Sequence, residues 1–481
     1  MLRKSLALSL VGAMWLTVVG AAPAQAQAPS PFRVSASQKG SLLIYSKIEI
    51  KWDRDGNLIQ DTFLDITNDF PGDVHIQGYF INGDAEIPEI CSGEPCTTIV
   101  QKFEPGWNTA DCGFALTGDQ PSFWSAARGF VGSPVNGGFR CQSFTTLDQD
   151  GPGRPDPESG MEDSILRGYA VFWAEKFVPN TNPVGQTPTT PGFPNGVFIP
   201  IKWNHLKGDG LIVNYREGTA WEYNAWAFAS HVPNAGTGDT IGTPFKNGGE
   251  AIQQLSLDGT MYDWPFSKLL LDFYGAGSTA LSGGNQTVTV DTDLTVHAVS
   301  ADLRQDNCGP VLTKIDATIW NEFETKFSGT RRCICCWDQT MLSDWVRSAA
   351  IPNHFMRGAL RTDKGKARLE GVGSSECDYS TICGLDAFDV LSRPLCEGAA
   401  AGTNGFGRLA SKDAALLGLT TKFLTFGVGA DARHETAGVN LTGSGTQSAV
   451  IHVDTPIGPP EARDGSRAAY SRSLSRPRSR K

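Results

Sequence analysis

The chain has 481 residues, 41 of them basic and 51 acidic, for a net charge of −10 with histidine neutral. Hydrophobic residues make up 40% of it, which over this length is enough apolar surface for two or three domain cores. The charge is unevenly divided: residues 461–481 hold seven basic and two acidic side chains, and setting these aside with Arg3 and Lys4 leaves a body of 32 basic and 49 acidic residues, or −17, which argues against nucleic acid or another polyanion as a partner.

Arg3 and Lys4 precede an apolar run from Leu6 to Val19, followed by overlapping small-residue sites that end at Ala26 and Ala28. That order predicts a signal peptide over residues 1–28, cleaved after Ala26 or Ala28. The run is short for a bilayer span, no later segment is long enough to be one, and no cysteine precedes Cys91 to carry a lipid. The expectation is a secreted chain, extracellular or periplasmic, with no transmembrane anchor.

Beyond the signal the pattern is that of strands. In SKIEIKW, Ile48, Ile50 and Trp52 alternate with Lys47, Glu49 and Lys51, the period of two that a half-buried strand shows. The turn DRDGN leads into DTFLDIT, and the turn NDFPGD into VHIQGYFI, with Val74, Ile76 and Phe80 on one face; short turns between such strands describe an antiparallel meander. Similar segments recur at RGYAVFWAEKF, GVFIPIKW, GLIVNY, AWEYNAWAF, KLLLDFY, TVTVDTDLTVHAV, KIDATIW, KARLEGV, TKFLTF and QSAVIHV. Helical spacing is confined to residues 338–347, 384–392 and 409–418. The fold class expected is mainly β: two β-sandwich units, immunoglobulin-like or related, with long loop insertions and few short helices.

A repeat supports two units. ITNDF at 66–70 and IWNEF at 319–323 share I-x-N-[DE]-F at the end of a strand, and TAWEYN at 219–224 and TAGVN at 436–440 follow in the same order. The expected division is near residue 305, with an N-terminal unit over 35–305, a C-terminal unit over 306–458, and a basic Ser/Arg tail over 459–481 that lacks apolar periodicity and should be disordered. KGSLLIYSKIEIKW, DTFLDITND, VHIQGYFING, IWNEFETKFSGTRRC and TDKGKARLEG together resemble uncharacterised secreted bacterial proteins built from immunoglobulin-like or similar sandwiches. The resemblance spans most of the mature chain and implies a fold without an activity.

Eleven cysteines follow the signal. Cys91, Cys96, Cys112 and Cys141 form an even set within a loop-rich stretch, for which two disulfides are the economical reading in an exported chain. Cys308, Cys333, Cys335, Cys336, Cys377, Cys383 and Cys396 are an odd seven, so they cannot all pair with one another. Cys333 and Cys336 make a CxxC before Asp338, a candidate cap for the helix expected at 338–347. A lowered thiol pKa would allow redox chemistry there, and Cys333, Cys336, Cys377 and Cys383 could supply four thiolates to zinc, although the second pair is spaced C-x5-C. A structural disulfide fits export best.

Asp148, Asp150, Asp156 and Glu158 offer oxygen ligands around a glycine turn, a weak calcium candidate whose spacing is not that of an EF-hand. Trp221 and Trp226 flank Glu222, which suggests sugar stacking beside a carboxylate. The sequence holds no HExxH, GxSxG or GxxxxGK, and its seven histidines are scattered singly. Two classes of function are expected: a secreted structural or surface-interaction protein without catalysis, meeting an extracellular or envelope partner, and a carbohydrate-binding or carbohydrate-active sandwich.

Overall fold

A computed structural model describes residues 34–53, 55–83, 89–92, 98–101, 109–130, 164–179, 196–231, 255–259, 261–280, 287–299, 312–335, 337–346, 351–372, 415–427, 432–447 and 449–451. All belong to one compact unit, Phe32–Lys481. The first part of the chain forms β1 (Leu42–Trp52), β2 (Leu58–Asn68), β3 (Val74–Asn82), β4 (Glu89–Ser92), β5 (Thr98–Gln101), β6 (Thr109–Leu116), β7 (Pro121–Ser125), β8 (Gly129–Phe130), β9 (Ser164–Pro179), β10 (Gly196–Pro200), β11 (Leu206–Asn214), β12 (Thr219–Asn224) and β13 (Trp226–Phe228). The rest forms β14 (Leu255–Leu257), β15 (Lys268–Tyr274), β16 (Gly277–Ala280), β17 (Thr287–Ala298), β18 (Leu312–Asn321), β19 (Lys326–Cys335), β20 (Trp337–Met341), β21 (Lys364–Val372), β22 (Leu416–Phe426), β23 (Arg433–Asn440), β24 (Thr442–Ser444) and β25 (Ala449–Ile451). The mainly-β class read from the alternation is the class observed.

Apart from the small β4–β5 hairpin, the strands up to β13 join one sheet with the central order β12-β11-β2-β1-β9-β3-β6. β2 is paired along its length with β11 on one edge and with β7 on the other, whereas β1 meets β2 only at Lys51↔Gln60 and Trp52↔Leu58, beside an irregularity. The β1–β2 hairpin therefore opens like a hinge. Its two arms face each other across a core in which Phe80 of β3 stacks on Trp124 of β7, with ring centroids 4.1 Å apart. The turn between β1 and β2 is built as DRDGN suggests: Asp53 accepts hydrogen bonds from the backbone N–H of Asp55 and Asn57, and Gly56 takes φ 80°.

Two five-stranded sheets follow, one ordered β19-β18-β21-β15-β24 and the other β16-β17-β22-β23 with β20 paired to β17. Leu269 and Leu271 of β15, Ile315 and Ile319 of β18 and Leu369 of β21 share a core with Leu294 and Val296 of β17. β15, β16 and β17 precede residue 300, yet their sheet partners include β18–β24. The sheets thus change over upstream of the division expected near residue 305. The stretch between β17 and β18 has the composition of a linker, but a chain crossing from one sheet to the next has that composition too.

Two helical expectations are corrected. Of residues 338–347 the described part, to residue 346, holds the rest of β20 and a 3₁₀ turn, Leu342–Asp344; edge pairing with β17 claims the segment, while Leu342 and Trp345 still reach the core that their spacing suggested. In 409–418 the described end, from Leu416, is β22, a strand between β17 and β23, and 384–392 lies outside the described residues. The paired asparagines do close their strands. Asn68 donates to the carbonyls of Gly72 and Thr117, and Asn321 accepts from the N–H of Phe323 and Thr325, each tying the turn that follows. The two do so in opposite senses, one as donor and the other as acceptor, so the shared I-x-N-[DE]-F marks a strand end closed by an asparagine and not one common turn.

Gly168 of β9 shows how tightly the layers are built. A Cβ there would lie 2.0 Å from the carbonyl oxygen of Ile81 and 2.8 Å from the amide of Gly83, backbone atoms that cannot swing aside. Gly168→Ala is expected to cost about 1–3 kcal/mol, read as a lowered urea midpoint. Gly358→Ala, where no atom lies within 4 Å of the new Cβ, should leave the midpoint unchanged or slightly raised.

Candidate functional site

The site begins with a single extra residue. Between Tyr45 and Ile48, β1 advances three residues while β9 advances two, a bulge that moves later side chains to the opposite face. Leu43 and Tyr45 point into the first core with Ile48 and Ile50, so Lys47 and Glu49 fall on the other side. That side is not solvent: it is covered by β17 and β20, and Lys47 is 1% and Glu49 4% exposed. The half-buried strand expected of SKIEIKW is buried on both faces.

Lys47 Nζ lies 2.5 Å from Asp293 Oδ2 on β17 and 3.6 Å from Glu49 Oε2. Gln339 of β20 spans the two carboxylates, its Nε2 donating to Asp293 Oδ2 at 2.7 Å and also to Glu49 Oε2. Glu49 Oε1 receives Gln60 Nε2 at 2.6 Å and Lys51 Nζ at 2.8 Å. The ring of Trp221 stands 5.4 Å from Lys47 Nζ, and Tyr223 donates its hydroxyl to the Lys47 carbonyl. Alongside, His297 Nε2 contacts Ser46 Oγ at 2.9 Å and Trp337 Nε1 donates to the Ser46 carbonyl at 2.9 Å.

This surrounding separates two carboxyls of the same chemistry. Burial raises Asp293, with repulsion from Glu49 adding to it against the attraction of Lys47. Burial would raise Glu49 as well, but Lys47, Lys51 and the hydrogen bonds from Lys51 and Gln339 outweigh it and hold that carboxyl well below the usual range. Burial acts to lower Lys47, and the two carboxylates overcome it, so its ammonium is raised. Several buried polar atoms close by carry no hydrogen bond, among them Asp293 Oδ1, Gln339 Oε1, Thr295 Oγ1 and Thr421 Oγ1. An amine is thus held against a carboxyl, with a second, ionised carboxylate in reach, in a place closed to bulk water.

The sequence candidates lie elsewhere. Trp221 is buried, its ring occupying the space where Gly438 of β23 has no Cβ. Trp226 is buried edge-on to Phe266 with centroids 5.6 Å apart, and Glu222 is exposed on the other face of β12. No stacking platform joins these three. Asp338 does not cap a helix; its Oδ2 is 2.6 Å from Arg332 Nε. Among the cysteines, Cys333 is half-buried on β19, Cys91, Cys112 and Cys335 lie on strands whose side chains at those positions fall outside the described residues, and Cys96, Cys141, Cys308, Cys336, Cys377, Cys383 and Cys396 are outside them altogether. So are Asp148, Asp150, Asp156, Glu158, the signal and the tail. Among the described residues no three His, Cys, Asp or Glu side chains come together as a metal set, and no helix is long and apolar enough to cross a membrane.

One surface depression, of about 650 Å³, lies where Glu322, Phe323, Arg357, Arg361 and Asp363 surround Gly277. Phe323, in the turn after β18, is 78% exposed beside it.

No family model and no curated protein sequence matches this chain. Among solved structures, a cryo-EM structure of broad bean stain virus aligns over 72% of this chain and 88% of the viral one at 8% identity, with a TM-score of 0.13, a likeness that carries no argument.

Proposed function

We propose that this is a secreted structural or surface-interaction protein without catalysis, exported behind a signal cleaved after Ala26 or Ala28 and stapled by disulfides. One observation carries the reading: the ionisable groups Lys47, Glu49 and Asp293 are sealed between β layers instead of lining a cleft, where they can join layers but cannot meet a soluble substrate. The burial of Trp221 and Trp226 supports it further, because these were the aromatics that a sugar-stacking platform required. At Cys333, half-buried on β19, this reading expects a structural disulfide in place of a zinc thiolate.

A second reading, carbohydrate binding, moves to the surface depression, where exposed Phe323 stands beside Glu322, Arg361 and Asp363. An aromatic face with charged groups around it is suited to a sugar ring. A glycan array and a polysaccharide-hydrolysis screen on the mature protein separate the two. The expected result is no hydrolysis and no saturable glycan signal. Saturable binding that disappears in Phe323→Ala, with the melting temperature unchanged, would establish the second reading in place of the first.

A further inference from the structure

We propose that Lys47 and Asp293 form an intramolecular isopeptide bond, Nζ to Cγ, with Glu49 as the proton carrier that makes it. The reacting residues are 246 apart in sequence, on β1 of the first sheet and β17 of another, and Lys47 Nζ lies 2.5 Å from Oδ2 of the carboxyl it would attack. Fixed contact of this kind replaces a bimolecular encounter with an intramolecular one.

The step balances without oxidant or cofactor. Glu49 takes a proton from the Lys47 ammonium, and the freed lone pair attacks Cγ of Asp293. The tetrahedral centre collapses with loss of one oxygen, which departs as water carrying two protons that were on Nζ, passed over by Glu49. Ammonium and carboxylate become a secondary amide and water, and Glu49 ends as it began, ionised.

The neighbours are placed for that sequence, whose first proton transfer, from a raised ammonium to a lowered carboxyl, runs uphill and sets its rate. Glu49 Oε2 is 3.6 Å from Nζ and is oriented by Gln60, Gln339 and Lys51. Gln339 Nε2 donates to Asp293 Oδ2 at 2.7 Å, in place to steady the oxygen on which charge develops. The raised carboxyl of Asp293 favours the neutral acid it becomes when Glu49 passes it the first of those two protons, and that form is the better electrophile. Burial acts in the same sense from the other side, since two ions costly to hold away from water become one neutral amide, and exclusion of bulk water opposes hydrolysis back to the ions. The inference needs no assumption about export or partner.

Intact mass of the full mature chain, measured denatured and reduced after its N-terminus has been mapped, should fall short of the sequence mass by one water. A tryptic digest should contain a branched peptide joining Lys47 to Asp293, with no cleavage after Lys47. The branch matters because a succinimide would also lose water but would leave Lys47 cleavable. Asp293→Ala should restore the full mass, and Glu49→Gln should slow bond formation by roughly 100-fold or more. Should either variant fail to fold, the wild-type digest still decides: folded protein at full sequence mass, cut by trypsin after Lys47, overturns the proposal.

Discussion

Lys47→Met is expected to lower stability by about 3–5 kcal/mol even if the pair is purely ionic, because it strands a buried charge partner. Asp293 would keep Gln339 as its only described donor, at a position 3% exposed. The double variant Lys47→Met/Asp293→Leu then separates an ion pair from a bond. Apolar replacement of both members of a buried pair is often close to neutral, so an ionic pair predicts that the double variant recovers most of the loss. A covalent link predicts that it does not, since both variants free a loop of 246 residues, whose closure contributes about 5 kcal/mol in the chain-entropy account. Urea titrations of the four members of the cycle give the answer: recovery to near wild type indicates ions, and a deficit of several kcal/mol in the double variant indicates the amide.

What the sequence disclosed and what it concealed follow from the range of each interaction. Strand positions were legible because period-two alternation is local: KLLLDFY and TVTVDTDLTVHAV fall on β15 and β17. The same alternation misled at SKIEIKW, where Lys47 and Glu49 look like a solvent face. A clue stood just ahead of them, in the unbroken apolar run LLIY, which is the mark of a strand covered on both sides. The bulge that turns Lys47 toward β17 depends on how many residues β9 sets opposite it, and no single strand carries that count. Asp293 was unreadable as a partner for the same reason. With Trp221 the signal was local: Trp221 and Tyr223 alternate with Glu222 and Asn224 and are buried where these are exposed, so alternation alone places the tryptophan inside and the carboxylate outside.

Acidification from pH 6.5 to 4.5 should cost the protein about 2 kcal/mol through His297 alone, the slope rising to about 1.4 kcal/mol per pH unit once the unfolded histidine is fully protonated. The ring is fully buried on β17, with Ser46 of β1 at Nε2, Tyr169 of β9 at a centroid distance of 5.3 Å, and Leu417 of β22 and Trp337 of β20 opposite it in the sheet. Burial lowers its pKa from 6.5 to about 3. The unfolded chain therefore binds a proton that the folded chain refuses between these values, so this contribution is complete above about pH 6.5 and is lost as the pH falls toward 3. Glu49, held low in the fold, adds a loss of the same sign below its unfolded value of about 4.5, whereas Asp293, held high, is relieved by acid and acts against both. The interval from 6.5 to 4.5 lies above the Glu49 window, and the carboxyls are common to wild type and a His297 variant, so comparing the two isolates the histidine. His297→Gln keeps a polar group for Ser46 and removes the titration, so urea midpoints of this variant should vary less between pH 6.5 and 4.5 than those of the wild type. Equal slopes for the two proteins would assign the acid sensitivity to other groups.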